Sequence, residues 1–594
     1  MKRAATIHLS WFLPVAVLAM LAPPSALGQV VLRGIHAEPG SGIDIQLTGA
    51  YDNLPTHGFV PVQIDIANNS GRNRSWKFSF NASSHHRAQV SHAYTWDVSV
   101  PSGAQRSFDV LVPVSGRHNP RYTHPSLSIT AFGYGLQATR ASYHGGATHS
   151  GLPTLALIGM TPGLSIDYFG PIQGELVSRG KDVRMATLTP DLMLADWRAY
   201  SGFESIWTTR NEWEGLREPV RQAILTWVLQ GGRLVVASHG GALPALPPSA
   251  RQVNDRLEFG LGSIHPLELD RLRAEIDKAV ALMERLDNGG WAARAIDLYG
   301  RNWGMAAVRE QSGRQAGLLV LMIFAFAVVV GPVNLIWLAG RSRRWRLFVT
   351  TPLISLVASL MLGAGILAQD GIGGRGARVS LVLLAPELRQ MLVVQEQSAT
   401  TGLLLRRDFA LTSDHIMHRL DNPHVGRQPP LTLQRDARSA GGDWFSSRDV
   451  QAHVVSSVVP SRARIELLNA AEVLAGGDAP RLLSTIEAEL ESFYYVDPHG
   501  KVWVGEGLRA GESQVLEPAE TRHHHPRSWW QQHVIRPGLR VHPRLLDLHA
   551  RPGYVVGAAK PDTGRFIETL PSIRWENRSQ IYIGPVVSPA GGAL

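Results

Sequence analysis

Cysteine is absent from all 594 residues. No disulfide, thiolate nucleophile, zinc–thiolate site or iron–sulfur cluster can therefore be built from this chain. Charge is scarce too: 18% of residues are Asp, Glu, Lys or Arg, against 44% hydrophobic ones. That balance excludes wholesale disorder and a coiled-coil rod. Acidic residues number 49 against 58 Lys and Arg, leaving a net charge of +9. Such an excess suits nucleic acid, anionic lipid or arginine-rich loops alike, and only the positions of the charges can decide. Glycine (58) and proline (37) are plentiful, and at ~150 residues per domain the length predicts roughly four units.

The N-terminus reads as a secretory signal spanning 1–28. Lys2 and Arg3 precede an apolar core from Trp11 to Leu21, and Ala26-Leu27-Gly28 supplies the small residues of a cleavage site. With no cysteine after it, a lipoprotein is excluded. Two further apolar stretches, 316–340 and 347–368, are 25 and 22 residues long and uncharged. Each reaches the ~20 residues needed to cross a ~30 Å hydrocarbon core. Residues 341–346 between them hold four arginines in six positions, which the positive-inside rule assigns to the cytoplasm. The expectation is a two-helix transmembrane hairpin in a bacterial inner membrane, in contact with its lipid and carrying two periplasmic regions. Nucleic acid would not be a partner there. Asn334 is expected to bond across the hairpin to Thr350 or Thr351, as glue rather than as part of a transport path.

Residues 29–150 alternate apolar and polar side chains with a period of two, as in Val60, Val62, Ile64, Ile66 and then Trp76, Phe78, Phe80. Clusters such as Asn68-Asn69-Ser70-Gly71 punctuate the runs, predicting an immunoglobulin-like β-sandwich. From 151 to 310 the pattern becomes strand–helix–strand: Leu155–Ile158 and Leu234–Ala237 are continuous apolar runs. Leu216, Val220, Ala223, Ile224 and Trp227 recur at helical spacing before Gly231-Gly232. This predicts a doubly wound α/β (flavodoxin-like) layer, with Trp227 in its core. Region 370–594 reads as a second β-sandwich; Asp497-Pro498-His499-Gly500 marks one hairpin turn.

The segment Trp227-Val228-Leu229-Gln230-Gly231-Gly232-Arg233-Leu234-Val235-Val236 resembles part of class I glutamine-amidotransferase-like domains. Gly331-Pro332-Val333-Asn334-Leu335 and Thr351-Pro352-Leu353 resemble the paired spans of a group of bacterial envelope membrane proteins that carry such a domain. In the enzymes the strand runs into a turn G-x-C-x-G that bears the nucleophile. Here Val236 stands at the first glycine, Ser238 at the cysteine and Gly240 at the last glycine. His239, next in sequence, points away from Ser238 in an extended turn, and the prolines from Pro244 onward oppose an oxyanion-binding helix. Ser238, His239 and Gly240 therefore form a degenerate site, and the chain is expected not to be an enzyme. A hydrolase using Ser238, or a ligand-binding sensor using the α/β crevice, are the alternatives. His523, His524, His525 and His533 form the one constellation of metal-binding type. Consecutive loop histidines seldom converge on one ion, so neither metal nor cofactor is expected. The resemblance implies a scaffold that binds other envelope proteins, alongside MoxR-type ATPase and von Willebrand A systems, in envelope assembly or stress tolerance.

Overall fold

The computed structural model describes residues 30–144, 154–158, 184–238, 250–268, 324–338, 344–420, 431–519, 526–537 and 548–588. Short gaps interrupt these spans at 56, 85–89, 115–124, 254–255, 413, 477, 549 and 561–562, and a few single residues near 172–179, 246 and 277–281 are added. The signal segment, His239, Gly240 and His523 to His525 lie outside the described residues, as do 316–323 and 339–343.

Period-two patterning builds the N-terminal layers. Along Phe59–Asn68 the side chains of Val60, Val62, Ile64 and Ile66 are buried while Gln63 and Asp65 are only half-buried. Their sheet has four strands, in the order Val30–Val31, Ile43–Gly49, Phe59–Asn68 and Ala104–Pro113. Its apolar face shares one core with Phe78, Phe80, Leu127 and Ile129 of a second sheet. That second sheet has eight strands, and three of them, Phe409–Ala410, Leu431–Arg435 and Ser439–Gly442, come from far along the chain. Leu431–Arg435 runs parallel to Val90–Val100, with Leu431 opposite Val90 and Arg435 opposite Tyr94. The N-terminal sandwich is thus completed by residues more than 300 positions later.

The α/β layer is a sheet of seven. Arg184–Leu188, Thr154–Ile158, Ser205–Thr209, Arg233–Ser238 and Gly262–Glu268 are parallel neighbours, and Arg256–Phe259 and Arg251–Val253 add antiparallel at one edge. A capping box joins Thr209 and Glu212 at the start of the short helix Arg210–Gly215, satisfying otherwise orphaned backbone N–H groups. Helix Glu218–Leu229 follows, with Pro219 in its first turn and Val220, Ala223, Ile224, Trp227 and Val228 buried. Gly231, at φ 117°, ends it. Gly232 is needed for a different reason: a Cβ there would lie 2.4 Å from the Trp227 ring.

Most of the remaining strands form a twelve-stranded sheet centred on Gly374–Ala385, Gln390–Thr401 and Ile573–Val587. Leu381 and Leu383 join the core shared with the sandwich and the α/β layer. Val382 and Leu384 join a separate core on the opposite face. Two-sided burial explains why Ser380-Leu381-Val382-Leu383-Leu384 reads as an unbroken apolar run rather than an alternation. Hydrogen bonds join the layers. Tyr51 Oη donates to Ala199 O, Asn53 Nδ2 to Met185 O at 2.9 Å, and Thr226 Oγ1 to Gln390 Oε1 at 2.9 Å.

The expected membrane protein requires correction. Among the described residues no helix is long and apolar enough to cross a membrane, and about half of those residues are strand. The two-helix transmembrane hairpin (316–340 and 347–368, joined by 341–346) is therefore not supported. The inner-membrane location, the lipid contact and the periplasmic and cytoplasmic sides inferred from it lose their basis as well. Of the first stretch only 324–338 is described. The second lies in the helix Leu347–Asp370, where Thr350-Thr351-Pro352, Ser355 and Ser359 interrupt the apolar side chains and Gln369-Asp370 closes the end. The two segments nevertheless touch: Asn334, buried, donates from Nδ2 to Thr351 Oγ1 at 3.0 Å.

Candidate functional site

Ser238 is the last residue of the strand Arg233–Ser238, buried, and opposite Glu268 in the parallel register with Gly262–Glu268. This is the carboxyl end of a parallel sheet, where α/β folds place their ligands. No hydroxyl-activating partner of Ser238 is seen among the described residues, and the two residues after it lie outside them. The buried pair Ser263 and His265, with Oγ and Nε2 2.9 Å apart, sits on the neighbouring strand. Ser263, opposite Arg233 in register, is the second residue of that strand and so lies at the other end of the sheet from Ser238.

His533 is half-buried against Trp529, with ring centroids 4.6 Å apart, and its Nε2 is 3.4 Å from Ser492 Oγ. Burial lowers its pKa. These contacts make it a packing element of its short helical turn. Among the described residues no group of three or more histidines and carboxylates could hold a metal ion.

The densest polar chemistry lies where sandwich, α/β layer and twelve-stranded sheet meet. The guanidinium carbons of Arg198 and Arg435 lie 5.8 and 6.0 Å from the centroid of the Phe59 ring. Arg198 is held by Asp196 through two nitrogens, and Arg435 Nη2 donates to Thr412 O at 2.9 Å. Burial and then the Arg198 charge push Arg435 down to about 10. On the strand that pairs with Leu431–Arg435, His92 meets the Trp444 indole edge-on at 5.6 Å. Burial, followed by His418 and Arg435, lowers His92 to about 3. His453 hydrogen-bonds Trp444 O through Nε2 at 2.7 Å and is likewise lowered to about 3, by burial and then Arg419. Both rings are therefore held neutral at pH 7.

His57, Glu204, Trp227, Gln230, His418 and Ser456 are among the residues lining a cleft of about 50 Å³ at this junction. That is room for water, against the ~300–1,000 Å³ of typical small-molecule sites. Sequence reasoning missed the junction entirely. Its members are scattered from His57 to Ser456, and no local spacing reports a contact between strands hundreds of residues apart.

No protein-family model matches the chain, and a search of curated proteins returns no match. Solved structures give distant likenesses. A Bacteroides uniformis β-glucuronidase is 10% identical over 35% of this chain and 35% of its own, with a TM-score of 0.16. A β-glucuronidase of glycoside hydrolase family 2 is 10% identical over 38% of this chain and 33% of its own, also at 0.16. A Paenibacillus cycloisomaltooligosaccharide glucanotransferase covers 72% of this chain and 70% of its own at 8% identity and 0.16. The chain spans about a third or less of the length of the first glucuronidases it matches. Scores this low carry no argument about fold or activity.

Proposed function

We propose that this chain is a non-catalytic scaffold that binds other proteins. The observation that carries this reading is the exposed apolar surface of 324–338 and Leu347–Asp370. Trp337 is 84% exposed and Phe348 86%, with Leu335, Ile336, Leu353, Leu356 and Leu360 exposed beside them. A folded chain that presents this much apolar side chain has a surface that is covered in its working assembly.

Photo-crosslinkers placed at Trp337 and Phe348 in source cells should each yield discrete crosslinked protein species. A Trp337→Glu, Phe348→Glu double variant, probed from Trp345, should lose them while retaining its thermal midpoint. No crosslinked protein, or the same species from the double variant, would defeat the proposal. Ser238 supplies the check on catalysis. A fluorophosphonate probe should leave the protein unlabelled, and Ser238→Ala should leave its cellular phenotype intact. Labelling that disappears in Ser238→Ala would move the reading to a hydrolase.

A further inference from the structure

Residues 563–570 connect the antiparallel neighbours Tyr554–Ala559 and Ile573–Val587, yet they belong to no strand. Between Thr563 and Leu570 the main chain is held by side chains from the sheet floor. Gln395 grips Ile567 twice: its Oε1 accepts from Ile567 N at 2.7 Å and its Nε2 donates to Ile567 O at 2.8 Å. Gln580 grips Arg565 in the same way, accepting from its N at 2.8 Å and donating to its O. Thr569 Oγ1 reaches Gln397 Oε1 at 3.3 Å. The contacts fall on 565, 567 and 569, the period of an extended peptide.

A side-chain amide that pairs with both the N–H and the C=O of one residue reads main chain, whatever the sequence. Pockets supply the selectivity: Ile567 and Leu570 are buried in the apolar core, whereas Arg565 and Glu568 face solvent. Arg378 closes one side, donating to Glu568 Oε1 at 2.8 Å, with its guanidinium 4.8 Å from the Phe566 ring centroid. The floor is not saturated by this occupant. Gln395 Nε2 donates to Gln397 Oε1 at 3.0 Å, which fixes the amide orientation of Gln397. Its Nε2, fully buried, is then left with no hydrogen-bond partner among the described residues. Lifting 563–570 would break none of the ladder bonds between the flanking strands.

We infer that Gln395, Gln397, Gln580 and Arg378 form the floor of a groove for an extended peptide, closed in this structure by the chain's own residues 563–570. The partner segment that replaces them is extended, with an aliphatic side chain at the Ile567 position and main-chain groups that engage the free Gln397 donor. This gives the scaffold reading, on which it rests, a second and separate docking mode, related to strand addition but read by side chains.

Two measurements on the full chain test it. In hydrogen exchange, the peptide carrying the Arg565 and Ile567 amides should exchange at least a hundredfold faster than the one carrying Ile581 and Ile583, because the strap opens locally. Equal protection would mean a fixed roof and would overturn the inference. Ile567→Asp should then open the groove. A fluorescein-labelled octapeptide of residues 563–570 should bind this variant at least tenfold more tightly than the wild type, and adding Gln395→Ala should abolish the gain. An opened, folded variant that binds no more peptide than wild type also overturns it. If Ile567→Asp does not fold, Phe566→Ala, at a half-buried position, replaces it in the same assay. The probe is the chain's own sequence, so failure here leaves the crosslinking at Trp337 and Phe348 untouched.

Discussion

Trp227→Ala should destabilise the α/β layer by ~3–5 kcal/mol, the range for deleting a large aromatic side chain from a core. Domain stabilities are only ~5–15 kcal/mol in total, so the variant should accumulate poorly and be cut more readily within 184–268. The reason lies in the packing. Trp227 is 5% exposed and its ring lies against Gly232, the residue that leads into Arg233–Ser238. Gly232→Ala should produce a related defect from the other side, since a methyl there has no room beside the ring. Thermal unfolding and limited proteolysis of the full chain check both. An unchanged midpoint in Trp227→Ala, with partner crosslinks lost, would make this residue a contact rather than core.

Acid should weaken the three-layer junction before the carboxylates begin to protonate. His92 and His453 titrate near 3 in the folded chain, against 6.5 for an ordinary histidine. Below pH 6.5 the unfolded chain therefore takes up protons that the folded chain refuses, and stability falls as pH falls. Above pH 6.5 both states are neutral and the effect is absent. Two pH units below the ordinary value, near pH 4.5, a histidine shifted this far costs the folded state on the order of 3 kcal/mol. His415 and His533, also lowered, act in the same direction. Asp414 and Asp436 sit below the usual carboxylate range, so their contribution is lost only at lower pH still. Chemical denaturation at a series of pH values should show the slope between 6.5 and 4.5. In His92→Gln, His453→Gln that slope should flatten, since neither position can then take a proton. Equal slopes in wild type and double variant would assign the acid sensitivity elsewhere.

Local pattern carried much of what the chain does within single elements. The alternation of Val60, Val62, Ile64 and Ile66 placed a strand with one buried face. The spacing of Val220, Ala223, Ile224 and Trp227 placed a helix, with Gly231 at its end, because side-chain periodicity and backbone freedom are properties of a few neighbouring residues. The bond from Asn334 to Thr351 was legible for the same reason: an amide in an apolar stretch needs a partner, and a short turn leaves few within reach. The same local reading misjudged the apolar stretches as a membrane hairpin, since counting uncharged residues does not establish that a spanning helix forms.

What the tertiary structure alone decided is how distant strands combine. Nothing in Leu431–Arg435 announces that it will run beside Val90–Val100, because any alternating strand offers the same ladder of backbone donors and acceptors. That one pairing turns two apparently separate β regions into joined layers. It encloses His92, His453 and Arg435 in surroundings that set their protonation. The grip of Gln395 and Gln580 on 563–570 was equally invisible. A glutamine in a strand looks like an ordinary solvent-facing residue until the fold lays another part of the chain across it. Burial and partner, unlike propensity, are decided by residues far away in sequence.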